Sequence, residues 1–233
     1  MAMIGDNLQA VRARIAGAAE RSGRDPDGVR LLAVSKTHPA GLIEEVFHAG
    51  QSAFGENYVQ EALEKMSALE RFGIEWHLIG PLQSNKTRVV AERFDWVHTV
   101  DREKTARRLS DARPDAMRPL EVLVQVNVSG EASKSGAAPA DVPALARAVS
   151  ALPRLRLRGL MAIPEPTADI SLQHSRFRQV RQLFEQLQRE GMALDTLSMG
   201  MSEDMEAAIA EGSTMVRIGT AIFGARRKVR DAA

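Results

Sequence analysis

The amino-acid sequence predicts an α/β protein and, within that class, a (β/α)8 TIM-type barrel with one extra helix at its amino end. Three observations lead there. Eight short apolar runs alternate with longer stretches of helical periodicity, the pattern of parallel βαβ units. The chain has 233 residues, a length that such a barrel uses as a single unit. The G-x-G-x-x-G turn that usually follows the first strand of an open doubly wound sheet occurs nowhere, and Lys36-Thr37-His38-Pro39 stands in its place. Residues 1–233 therefore read as one domain without linker or internal repeat, and Pro164-Glu165-Pro166 as a rigid loop inside it.

The first element is a helix, because Leu8, Val11, Ile15 and Ala18 recur at helical spacing, with Asp6 or Asn7 as N-cap and Gly23 as a stop. Strands are expected at residues 30–35, 52–55, 75–79, 96–99, 120–127, 156–162, 196–199 and 215–218. Helices are expected between and after them at residues 41–49, 58–69, 85–93, 102–111, 141–152, 172–190 and 203–211. The clearest places Phe177, Val180, Leu183, Phe184 and Leu187 on one face and ends at Gly191, a good C-cap residue.

Composition narrows the function. Apolar residues make up 44%, enough for one sizeable core, and 31 basic against 30 acidic side chains leave a net charge of +1. No global field draws such a chain to nucleic acid or to an anionic membrane. The absence of cysteine removes disulfides, thiolate metal sites and cysteine nucleophiles. The five histidines show no ligand spacing, so no metal is expected. No run approaches the roughly 18 apolar residues of a membrane span, and the first residues lack the blocks of a signal peptide. A cytoplasmic protein is expected.

Chemistry concentrates at the strand ends. In a barrel, active residues come from the carboxyl ends of the strands, and phosphate often sits between the loops after strands seven and eight. After strand seven, Gly200 allows a tight turn and Ser202 is expected to cap the following helix; after strand eight, Gly219 allows close approach and Thr220 offers a hydroxyl and an N–H. Lys36 ends strand one, which neighbours strand eight in a closed ring. Taken singly, these are a surface lysine, a helix cap and a turn. Together, an amine beside a phosphate cradle is what pyridoxal 5′-phosphate (PLP) requires. Arg217 would then reach under the cofactor ring, where a permanently charged donor cannot keep a pyridine nitrogen protonated.

The segments Leu32-Ala33-Val34-Ser35-Lys36, Phe54-Gly55-Glu56-Asn57-Tyr58, Trp76-His77-Leu78-Ile79-Gly80-Pro81, Ser198-Met199-Gly200-Met201-Ser202 and Arg217-Ile218-Gly219-Thr220 closely resemble the pyridoxal phosphate homeostasis proteins, single-domain relatives of the alanine racemase barrel of PLP fold type III. The resemblance covers nearly the whole chain in order. It implies an internal aldimine at Lys36, phosphate contacts from Ser202, Gly219 and Thr220, ring-nitrogen contact from Arg217, a cofactor-side role for Asn57, and Ile79 and Met199 as pocket walls. It also implies a protein that buffers PLP or delivers it to apo PLP-dependent enzymes, with no turnover; a barrel lacking the extra racemase domain is expected to be a monomer. The rival is a small amino-acid racemase using Lys36 as its only base. A two-base racemase needs a second acid/base, and the single tyrosine, Tyr58, is expected to pack at a helix start. His77 and His98 lie near strand ends, where they could touch a ligand, and Lys134 reads as a solvated loop lysine, with approach to the rim as the alternative. The basic run at residues 226–230 reads as a solvated tail.

Overall fold

A computed structural model describes residues 4–131 and 135–224; Lys134 and the basic run at 226–230 lie outside them. Eight parallel strands close in chain order into a barrel: β1 (Arg30–Val34), β2 (Ala53–Glu56), β3 (Glu75–Leu78), β4 (Trp96–Val100), β5 (Leu120–Val126), β6 (Leu155–Ala162), β7 (Thr196–Ser198) and β8 (Met215–Ile218). Every expected strand is present within one or two residues. The ring shuts where β1 pairs with β8, with Leu32 opposite Arg217 and Ala33 opposite Ile218.

The helices are α1 (Ile4–Arg21), α2 (Ala40–His48), α3 (Val59–Ala68), α4 (Thr87–Arg93), α5 (Glu103–Ala112), α6 (Val142–Ser150), α7 (Ile170–Arg189), α8 (Met205–Ala210) and α9 (Thr220–Phe223). Among the described residues none is long and apolar enough to cross a membrane. Strand alternation sorts the core into two layers. Leu31, Ala33, Phe54, Leu78, Val97, Leu160, Leu197 and Val216 face the helices in one continuous cluster. Leu32, Val34, Ala53, Ile79 and Met215 form an inner group, and Trp96, Leu123 and Met161 another.

Three local expectations are corrected. Helix α1 already includes Ile4, so Asp6 and Asn7 lie inside its first turns; the Asn7 side chain instead donates to Ile222 O at 3.1 Å and ties α1 to α9. Gly23 does end that helix, at φ +66°. Ser202 is not the cap of α8: the Asp204 carboxylate accepts the Met201 N–H at 2.6 Å and closes a turn that delays the helix to Met205, with Asp204 at the N-cap. Helix α9 was not anticipated, being only four residues long.

Candidate functional site

A cavity of about 530 Å³ opens at the carboxyl end of the barrel, and Lys36, Asn57, Ile79, Ser202, Arg217, Gly219 and Thr220 all line it. A wider groove of about 820 Å³ runs between α1, α7 and α8 and shares Pro166, Thr167, Gln173, Glu203 and Asp204 with the cavity, but none of the predicted site residues.

Lys36 owes its direction to strand phase. It is two residues beyond Val34 and four beyond Leu32, both inward-facing, so a period of two carries its side chain inward too, and Val34 joins it in the cavity wall. Ser35, out of phase, turns outward and donates to Glu56 Oε1 at 2.6 Å. The chain then bends sharply at Thr37, which adopts φ 65°, a region that β-branched residues seldom enter.

Across the β1–β8 seam, a carbon atom added at Gly219 would lie 3.0 Å from Val34 O; glycine lets the loop after β8 close against β1. Gly200, after β7, has φ +95°, and a side chain there would come within 2.6 Å of Ala208 Cβ. Both turns depend on the missing side chain.

Arg217 is 4% exposed. Its Nη1 donates to Ser198 O at 2.6 Å and to Ser198 Oγ at 2.7 Å, and its Nη2 to Ala162 O at 2.9 Å. Three of the five guanidinium N–H groups are thus engaged. Burial lowers the Arg217 pKa to about 10, partly countered by Asp204, so it is still a cation at neutral pH.

Beneath Arg217 a polar column descends through the barrel. Ser198 Oγ meets His98 Nδ1 at 3.1 Å, His98 Nε2 meets His77 Nδ1 at 2.8 Å, and His77 Nε2 bonds to Glu75 Oε1, which also pairs with Arg30 at 2.9 Å. His77 and His98 are therefore not ligand contacts at the rim. Both are fully buried, neither lines the cavity, and burial holds each below the usual imidazole range, His98 well below. Burial alone would raise Glu75, but His77 and Arg30 outweigh it and hold the carboxyl low.

Two more expectations are corrected. Met199 follows the inward Ser198 by one residue, so it points to the helix layer; it is fully buried there and not in the cavity wall. Tyr58 precedes α3 at the N-cap position but does not pack: it is 58% exposed and outside the cavity wall.

The sequence reading missed other wall residues. Asp204 accepts from the N–H three residues before it, the reverse of an Asx turn, so the usual turn signal did not mark it. Glu165 and Arg176 had no such signal either. The Glu165 carboxylate accepts from Arg176 at 2.6 Å and from Ser129 Oγ at 2.6 Å, which pins the loop after β6 at the cavity mouth. Burial would raise Glu165, but these bonds prevail and bring its pKa to about 2.

Residues 7–227 match the family model described as "Alanine racemase, N-terminal domain". The pyridoxal phosphate homeostasis protein of Pseudomonas aeruginosa is 61% identical over 97% of this chain and 97% of its own, and that of Escherichia coli 57% identical over 96% and 97%. Among solved structures, PipY of Synechococcus elongatus with PLP bound superposes with a TM-score of 0.83 at 37% identity, over 95% of this chain and all of that one. Alanine racemase of Corynebacterium glutamicum, 17% identical with a TM-score of 0.69, covers 96% of this chain and 63% of its own and shares the fold. With its closed barrel and its matches over nearly full length, the chain belongs to the alanine racemase N-terminal domain family and, within it, to the pyridoxal phosphate homeostasis proteins.

Proposed function

We propose that this chain binds PLP in the cavity at the carboxyl end of the barrel, linked through Lys36, and holds and delivers the cofactor without catalysing turnover. The observation that carries this is the β1–β8 seam, which brings the Lys36 amine to the same wall as Ser202, Arg217, Gly219 and Thr220. The relatives named above, one of them solved with PLP bound, support it.

The residues fit the group. Among the described residues, the hydroxyls of Ser202 and Thr220 bond to no protein atom and so are available to a phosphate. Ile222 and Phe223 both donate to Gly219 O, so the N–H groups of Thr220 and Ala221 are the donors left over at that turn. Arg217 keeps two N–H groups beyond its three protein bonds and, having no acceptor, can only donate to a ring nitrogen. Asn57 and Ile79 come from the next two strand ends round the ring. When bound, the cofactor would supply an electrophilic aldehyde carbon, and Lys36 would be the primary amine that holds it covalently, with loss of water.

The exposed position of Tyr58 outside the wall removes the one tyrosine available as a second base, which favours carriage over racemisation. On this proposal the chain works in the cytoplasm as a monomer and hands PLP to apo PLP-dependent enzymes. Borohydride reduction of the loaded protein followed by peptide mapping tests the site: the mass gain is expected on the peptide containing Lys36 and absent from Lys36→Ala. Labelling elsewhere overturns the assignment. Deuterium uptake at the α-carbon of alanine or serine would instead establish the racemase alternative.

A further inference from the structure

Behind Lys36, on the helix-facing side of the barrel wall, lies a buried charged cluster that touches nothing in the cavity. Lys65, on α3, is 5% exposed. Its ammonium donates to Ser35 O at 2.8 Å, Glu56 Oε1 at 2.7 Å and Glu61 Oε1 at 2.6 Å. An ammonium has three donors, and here each has its own acceptor, from β2, from α3 and from the residue just after β1.

The acceptors are connected in turn to the backbone around Lys36. Ser35 Oγ donates to the same Glu56 oxygen at 2.6 Å, and the Thr37 N–H donates to the same Glu61 oxygen at 2.6 Å. The residue before Lys36 and the residue after it are thus both fastened to Lys65, directly or through one carboxylate. Thr37, on the far side, is the one described non-glycine residue with positive φ. Such a conformation persists only where surrounding contacts impose it, and the Glu61 bond is such a contact. Glu56 Oε2 has no partner among the described residues, so all bonds of that buried carboxylate pass through the oxygen shared with Ser35 and Lys65. Burying charges this deeply is unfavourable unless they are paired with good geometry. Burial raises the Glu56 carboxyl and Lys65 opposes that rise, so the cluster depends on its cation.

We propose that Lys65 is a positioning residue for Lys36, clamping Ser35 and Thr37 so that the strand-end turn aims the Lys36 amine into the cavity. This rests on the reading of Lys36 as the PLP-linking lysine. Lys65 has no part in docking the phosphate or the ring, since it lines no part of the cavity.

Two ligands separate the roles. PLP both docks and links, whereas pyridoxine 5′-phosphate carries an alcohol in place of the aldehyde and only docks. In Lys65→Met, PLP affinity is expected to fall about tenfold or more, the loss of charge-assisted bonds, while pyridoxine 5′-phosphate affinity stays within about twofold of wild type. Equal weakening of both ligands would mean general damage, and unchanged PLP affinity would mean no positioning role; either overturns the proposal. Glu61→Ala, at a partly exposed residue, keeps the test open if Lys65→Met does not fold, and should show the same split with a smaller PLP loss.

Amide hydrogen exchange of Thr37 in the cofactor-free protein reads the clamp without any ligand. It should accelerate about tenfold or more in Lys65→Met as the local opening free energy drops, and an unchanged rate sinks the clamp. Borohydride labelling of the wild type stands apart from both measurements. If it misses Lys36, the assignment of the linking lysine has failed and the aiming role fails with it; labelling at Lys36 with an unchanged Thr37 rate rejects the clamp alone.

Discussion

Arg217 and Glu75 stand at opposite ends of one hydrogen-bonded line through the barrel, and the charge at one end fixes which atoms donate all the way to the other. Glu75, held ionised, can only accept, so His77 Nε2 must donate to it. Neutral His77 then accepts at Nδ1, which makes His98 Nε2 the donor and His98 Nδ1 the acceptor. Ser198 must give its hydroxyl proton to His98, and its oxygen is left to accept from Arg217. A donor-only side chain at position 217 is thus required by the column below it as well as by any ligand above. Nitrogen-15 spectra of the histidines should show both rings as neutral Nε2–H tautomers at pH 7; an Nδ1–H form at either residue would contradict this polarity.

The same two imidazoles make stability depend on pH. Both have folded pKa values below the ordinary 6.5 because of burial, so on acidification the unfolded chain takes up protons first. Stability is then lost progressively as pH falls below about 6.5 toward the folded values, each unit of depression amounting to about 1.4 kcal/mol. Glu75, depressed in the fold, contributes stability above its ordinary 4.5 that is lost as pH falls through its folded value. Melting temperatures from pH 8 to 5 should fall on the acid side, with a shallower decline in His98→Gln. A profile that stays level across this range would refute the buried neutral pair.

Arg217→Glu places a carboxylate against Ser198 O, Ser198 Oγ and Ala162 O, all of which now accept from the arginine. The substitution should destabilise the protein by about 3–5 kcal/mol, as when one partner of a buried charged network is removed. In a chain of this size that is a drop of roughly 10 °C in melting temperature. PLP affinity should fall as well, since a negative charge enters a wall that offers donors to a phosphate. Wild-type melting and wild-type affinity together would show that Arg217 holds neither the barrel nor the ligand.

Ser202→Ala and Thr220→Val should leave the melting temperature unchanged, because neither hydroxyl bonds within the described protein. Each should weaken PLP by about 1.5 kcal/mol, the lower end for a bond to a charged group because Thr220 is exposed. That is roughly tenfold in Kd, measurable by titration of the bound chromophore. An unaltered Kd in the double variant would put the phosphate elsewhere.

Gly200→Ala should destabilise the loop between β7 and α8. The backbone there has φ +95° and the new methyl would overlap Ala208 Cβ. Strain of this kind costs of order 1–3 kcal/mol, and thermal melting of the cofactor-free protein reads it directly; a wild-type melt would mean that the loop relaxes freely.

The strands were legible because alternation and β-branched runs are local properties, and Lys36 was legible because its phase follows from Leu32 and Val34. The same rule, applied from Ser198, would have turned Met199 outward and placed His77 and His98 inside the barrel. Their neighbourhood of strand ends was the misleading cue. The start of α8 was not legible because a three-residue turn closed by Asp204 outweighs the cap preference of Ser202. Lys65 was hidden for another reason: its three acceptors come from separate elements, and nothing in the spacing of α3 marks it apart from a solvated helix lysine.

Closure of the ring by pairing the first strand with the last has a consequence for how the protein is made. Lys36 and the turn at Gly219 and Thr220 meet only when β8 has docked on β1, so on the proposed site a chain emerging from the ribosome has no complete cofactor cavity until β8 is available. Chains are synthesised from the amino end at a finite pace, and a ligand that binds only the completed barrel stabilises that state alone. On the proposed site, cofactor capture therefore waits for ring closure: a product that lacks β8 lacks that wall of the cavity and is expected not to sequester PLP, however well its first seven strands have folded.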